Sequence, residues 1–117
     1  MIVQLMDLYM KKLFLILIIL SSYAFASDFI SAKQSKSYIG KNKTVCAKVV
    51  QVVTKNGSTF VNFEHKYPNQ TFYLYITEPE NYINLNNVKG KKICSHGKIE
   101  LFKNKPMQKN PKSIMIK

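Results

Sequence analysis

The chain has 117 residues, 46% of them hydrophobic, and a formal net charge of +12. That length holds one core, because single domains usually occupy about 100 to 150 residues, and a second domain is excluded. All 18 basic residues are lysines, which offer point charges but not the planar fork that clamps a phosphate bidentately or reads a guanine edge.

Residues 1–26 read as a signal peptide. Lys11 and Lys12 precede the apolar run "LFLILIIL" (13–20), and "AFA" (24–26) supplies small residues for cleavage after Ala26. The run is short against the ~20 apolar residues that span a bilayer, so no stable membrane insertion is expected after cleavage. A complete signal already begins at Met10, which makes Met10 a candidate true start. Residues 27–117 keep all but two of the lysines and all but one of the six acids, leaving about +11. Such a charge favours polyanionic partners; its bland reading is solubility and genomic base composition.

The segment 27–39 is a polar lead-in with room for one helical turn, and 40–117 form the domain. "KTVCAKVVQVVT" (43–54) is rich in β-branched residues and stops at Asn56-Gly57, a strong hairpin pair. "STFVNFE" (58–64) follows at hairpin distance. After the loop "HKYPNQ" (65–70), "TFYLYIT" (71–77) sets Phe72, Leu74 and Ile76 against Tyr73 and Tyr75 with a period of two. "EPENYINLNNVKG" (78–90) lacks that alternation and reads as a loop or short helix. "KKICSHGKIELF" (91–102) predicts a long strand with Gly97 as a bulge or bend, placing Ile93, Gly97, Ile99 and Leu101 on one face. A turn at "KNKP" (103–106) leads to "MQK" and then to "SIMI". Three strands, a connector and two more strands give an all-β order, that of a five-stranded Greek-key barrel.

Two cysteines in an exported chain have one connectivity. Neither Cys46 nor Cys94 belongs to a C-x-x-C, and His65 and His96 lack ligand spacing, so no metal or cofactor is expected. Both cysteines fall on the strand faces turned from the core, and the first and fourth strands of such a barrel are neighbours. A Cys46–Cys94 disulfide is therefore predicted, and with it a periplasmic or secreted location.

The strings "YIGKNKTVCAKVV" (38–50), "STFVNFEHKYPNQTFYLYI" (58–76) and "GKKICSHGKIELFKNKP" (90–106) resemble a group of small exported bacterial OB-fold proteins of nucleic-acid-binding type. The resemblance spans nearly all of the chain after residue 26; Ala47 and the polar last segment depart from it. It implies the oligonucleotide/oligosaccharide-binding barrel, with a ligand on the second and third strands and adjoining loops. The same barrel resembles thermonuclease, but metal-assisted phosphodiester cleavage needs clustered carboxylates and usually arginine. The scattered acids Asp28, Glu64, Glu78, Glu80 and Glu100 do not supply them, so no enzyme is expected.

The candidate surface comprises Phe60, Asn62, Tyr67, Tyr73 and Tyr75 for stacking and hydrogen bonding. Lys48, Lys55, Lys66, Lys98 and Lys103 are the candidate phosphate contacts. The alternatives remain open at this point: the tyrosines can serve packing, and "YPNQ" can be a plain turn. The expected function is a monomeric, non-enzymatic module binding single-stranded or extended DNA or RNA with low sequence specificity. The alternative is an envelope module that recognises a protein or an anionic glycan.

Overall fold

The computed structural model describes residues 28–117. The expected signal segment and the start at Met10 lie outside the described residues. Strand β1 (Phe29–Ser31) and a 3₁₀ helix (Lys33–Tyr38) precede β2 (Asn42–Lys55), β3 (Ser58–Phe63) and β4 (Phe72–Ile76). Two short 3₁₀ turns, Pro79–Asn81 and Leu85–Asn87, fill the connector. Then come β5 (Lys92–Lys98), β6 (Glu100–Phe102), β7 (Lys105–Lys109) and β8 (Ser113–Ile116).

The fold is all-β, with eight strands among the described residues rather than five. The lead-in contributes β1, which pairs in parallel with Thr44–Cys46 of β2. The long strand expected over 91–102 divides at Ile99, and Pro111 separates β7 from β8 because proline cannot donate to a ladder.

The strand order is β6-β7-β4-β3-β2-β5-β8. β5 and β6 lie far apart on that path yet are joined through Ile99 alone, so the sheet must curl until they meet. Ile99 donates to the Lys41 carbonyl and accepts from the Gly40 amide, carrying the β2–β5 pairing up to the break. The result is a curled sheet with a parallel β4–β7 pair, compatible with an OB-like barrel.

Strand β2 belongs to both halves of the curl. Its first half pairs with β5, its second with β3, and the register shifts between Val49 and Gln51. The extra residue inverts the face pattern. Val45, Ala47 and Val49 point to the core, but beyond the shift it is Val52 that packs there. Gln51, Val53 and Lys55 are thereby turned outward, onto the surface described below.

The core is built by alternation. Val61 and Phe63 of β3, Phe72, Leu74 and Ile76 of β4, and Ile93 of β5 are fully buried, each contributing roughly 1.5 to 3 kcal/mol of apolar burial. Ile30 and Ala32 from the lead-in join them. Gln108 is also fully buried: its amide donates to the Lys43 and Gly97 carbonyls at 3.0 Å each and accepts from Ser95 Oγ at 2.7 Å. This carboxamide ties β7 to β2 and β5, whose strands it does not pair with.

Cys46 and Cys94 stand directly opposite in the β2–β5 ladder and form a disulfide. Beside them Thr44 and His96, also a cross-strand pair, share a 2.8 Å hydrogen bond, so His96 is half-buried and tied in place. Gly97 is neither bulge nor bend: it pairs regularly with Lys43, and the break falls two residues later. Its role is space, because a Cβ there would sit 3.2 Å from Pro111 Cα. Leu101, expected on the core face, is 51% exposed, since the strand has broken before it.

Candidate nucleic-acid interface

The outward faces of β3 and β4 present aromatic rings because the inward positions are taken by the core alternation. Phe60 lies opposite Tyr75, and Asn62 opposite Tyr73. The Phe60 ring centroid is 5.0 Å from that of Tyr75 and 6.5 Å from that of Tyr73. Tyr73 is buried among its neighbours while Phe60 and Tyr75 remain half-buried. Burial of Tyr73 raises its pKa above the ordinary 10.0, so its hydroxyl is neutral at physiological pH.

β7 and β6 extend this face. Met107 and Lys109 pair with Tyr73 and Tyr75, and Lys103–Asn104, both with positive φ, form the two-residue turn that brings Phe102 opposite Lys105. Two adjoining concavities result, of about 580 and 480 Å³. Phe60, Tyr73 and Phe102 line both, so the surface is one groove. Gln51, Val53 and Lys55 from β2 form one wall, and Tyr67, Pro68 and Gln70 close one end.

Gln51 fixes that end. Its Oε1 accepts from Asn62 Nδ2 and from the Tyr67 backbone amide, both at 2.9 Å. The loop is held while the Tyr67 ring stays 71% exposed. Gln70 differs: its side chain is 4% exposed, and its Oε1 has no hydrogen-bond partner.

Lysines line the aromatic floor. Lys55, Lys103 and Lys105 border the larger concavity and Lys109 the smaller, with Glu100 the one acid on either wall. Lys109 Nζ is 6.0 Å from the Tyr75 centroid and Lys103 Nζ 5.6 Å from that of Phe102, distances at which an ammonium is attracted to a ring face. Lys105 Nζ donates to the Gln70 carbonyl at 3.0 Å. A groove with rings below and ammonium groups around it can stack planar bases and neutralise phosphates.

The structure thus brings together Phe60, Asn62, Tyr67, Tyr73, Tyr75, Lys55 and Lys103 on one surface. It does not bring Lys48, Lys66 or Lys98 there. Lys48 pairs with Lys92, and Lys98 with Asn42, on the β2–β5 ladder, and Lys66 sits in the 64–71 loop without lining the groove. Sequence reasoning weighed Gln70 only as part of the "YPNQ" loop and missed Gln51, Phe102, Lys105, Met107 and Lys109. For the last four the available signal was the short strand pair around Lys103-Asn104; Gln51 had none, since its orientation depends on the register shift.

Among the described residues, no group of three or more His, Cys, Asp or Glu side chains is placed to hold a metal ion. No helix among them is long and apolar enough to cross a membrane.

No family model matches the chain, and no curated protein matches its sequence. Its fold is similar to part of a solved structure from Leishmania major Friedlin assigned as an aspartyl-tRNA synthetase. The TM-score is 0.56 at 9% identity, covering 79% of this chain and 21% of that one. The chain therefore spans about a fifth of that protein, and the likeness speaks for the fold.

Proposed function

We propose that this chain is an exported, non-enzymatic OB-fold module that binds single-stranded or otherwise extended nucleic acid with low sequence specificity. The observation that carries this reading is the groove itself: Phe60, Tyr73, Tyr75 and Phe102 on one continuous surface with Lys55, Lys103, Lys105 and Lys109 at its edges. Each stacked base is worth about 1 to 3 kcal/mol and is tolerant of sequence, because every base has a π face. Lysine adds attraction to phosphates without base readout. The curled sheet shared with part of a tRNA synthetase chain supports the fold side of the proposal, and the Cys46–Cys94 bond supports an oxidising compartment.

The test is fluorescence anisotropy with labelled oligonucleotides of mixed sequence at two salt concentrations, with heparin and a neutral glycan as competitors. Binding that weakens steeply with salt and is insensitive to base order supports the reading. Absence of binding at low salt overturns it. Tight binding of heparin with none of oligonucleotide favours the anionic-glycan alternative.

A further inference from the structure

The outward face of the other half of the sheet carries a second charged surface, and the register defines it. Val45, Ala47 and Val49 point to the core, so the positions between them point away from it. Lys48 of β2 stands directly opposite Lys92 of β5. On the far side of β5 the β8 register continues to Lys117, whose amide donates to the Lys92 carbonyl at 2.9 Å. Three lysines therefore form one row across β2, β5 and the end of β8. All three are exposed, and none takes part in the ion pair found among the described residues, Lys43 with Asp28.

Like charges placed directly opposite each other destabilise a sheet. Lysine on an edge strand guards against stray pairing, which accounts for Lys117 but not for Lys48 and Lys92, whose strands lie inside the sheet. An anionic surface laid against the row relieves the repulsion. The next row along the same face runs Cys46, Cys94, Met115. Met115 is 56% exposed, and Ile116 is exposed beside it.

Exposed lysines next to exposed methionine and isoleucine are the two parts of an interfacial surface. The ammonium groups meet anionic headgroups while the apolar side chains reach the boundary with the acyl chains. A protein partner anchored by large side chains needs pockets to receive them, and none of these residues lines either concavity of the groove. Lipid headgroups need no pocket, because they move laterally to gather around a fixed row of charge.

We infer that the outward face of β2, β5 and β8 docks on an anionic lipid surface, with Lys48, Lys92 and Lys117 over the headgroups and Met115 entering the boundary. This surface shares no residue with the groove.

The test is flotation of the disulfide-bonded protein, recovered after export, with vesicles of phosphatidylcholine alone or mixed with phosphatidylglycerol. Binding is expected to the mixed vesicles only and should weaken with salt, since each lysine near an anionic membrane contributes roughly a fivefold gain. Lys48→Gln/Lys92→Gln should weaken it about 25-fold on that scale. Lys33→Gln/Lys36→Gln, the same loss of charge at exposed positions of the 3₁₀ helix, should leave most of it. Met115→Ser should weaken binding severalfold without altering its salt dependence. Lys92→Glu, set between two lysines, should abolish binding yet raise the melting temperature, which separates lost docking from lost folding. Absence of binding to the mixed vesicles, equal binding to both vesicle types, or equal effects of the two lysine pairs overturns the inference. Polyglutamate binding that depends on Lys48 and Lys92, with none to vesicles, overturns it in favour of an acidic protein partner. Oligonucleotide binding lost in Lys48→Gln/Lys92→Gln, again with none to vesicles, overturns it in favour of nucleic acid on this face.

Discussion

Phe60 and Tyr75 face each other across β3 and β4 with ring centroids 5.0 Å apart, on the side of the sheet turned from the core. Cross-strand aromatic pairs of this kind stabilise a sheet by a few tenths to about 1 kcal/mol. Here they also remain half-buried, with Lys109 over one ring, so the pair supplies both a platform and a charge. Tyr75→Ala should weaken oligonucleotide binding by about 1 to 3 kcal/mol per stacked base, measured by anisotropy titration. Met115→Ala, on the exposed strand β8 away from the groove, should leave affinity unchanged.

Lysine position, not lysine number, should govern the salt dependence. Each of Lys55→Gln, Lys103→Gln and Lys109→Gln should lower the slope of log affinity against log salt by about 0.7, the value for one phosphate contact on a single strand. Lys48→Gln and Lys98→Gln, on the β2–β5 ladder, should not change it. Equal effects from both sets would mean a diffuse electrostatic surface with no groove.

The disulfide spans a sequence separation of 48, and closing a loop of that size stabilises a domain by about 4 kcal/mol in the chain-entropy model. Urea denaturation of oxidised and fully reduced protein should differ by about that amount at most. Cys46→Ser/Cys94→Ser should match the reduced form.

Gln108 serves three groups, the part-buried Lys43 carbonyl and the buried Gly97 carbonyl and Ser95 Oγ. Gln108→Leu is close in volume but leaves Ser95 Oγ without its acceptor and removes the second donor to the two ladder carbonyls, and an orphaned buried polar group costs about 1 to 3 kcal/mol. Denaturant melts should show a loss of about 1 to 3 kcal/mol. A near-neutral result would show that water replaces the amide.

Alkaline pH should destabilise the fold through Tyr73. Burial raises its pKa in the folded state above 10.0. Around and above that value the unfolded chain releases this proton more readily than the folded one, so stability falls as pH rises. Below it both states hold the proton and the effect vanishes. Tyr73→Phe should flatten the decline in melts taken between neutral and alkaline pH; burial of Tyr82, aided by Glu78, raises its pKa too and leaves a residual slope.

Much of the fold was written locally. Alternation at Phe72–Ile76 announced β4 and its two faces, Asn56-Gly57 announced the first hairpin through its positive φ requirement, and the paired cysteines announced the β2–β5 contact. Those signals depend on a few adjacent residues and need no knowledge of distant chain. From them Phe60, Asn62, Tyr73 and Tyr75 could be assigned to an outer face, with Tyr67 in the adjoining loop and Lys55 at the hairpin tip.

Tertiary structure decided the rest, for reasons that no window of sequence contains. The shift at Val50 turns Gln51 and Lys55 toward the groove because β2 must leave one partner strand for another. The parallel β4–β7 pair sets Lys109 over Tyr75 across more than thirty residues of chain. Gln70 and Lys105 stand between the groove and a concavity lined by Lys33 and Lys36 only because the lead-in helix folds back against them. Composition and alternation settle which side of a strand meets water; which strands then share that water-facing surface depends on pairing energies between segments far apart in the chain.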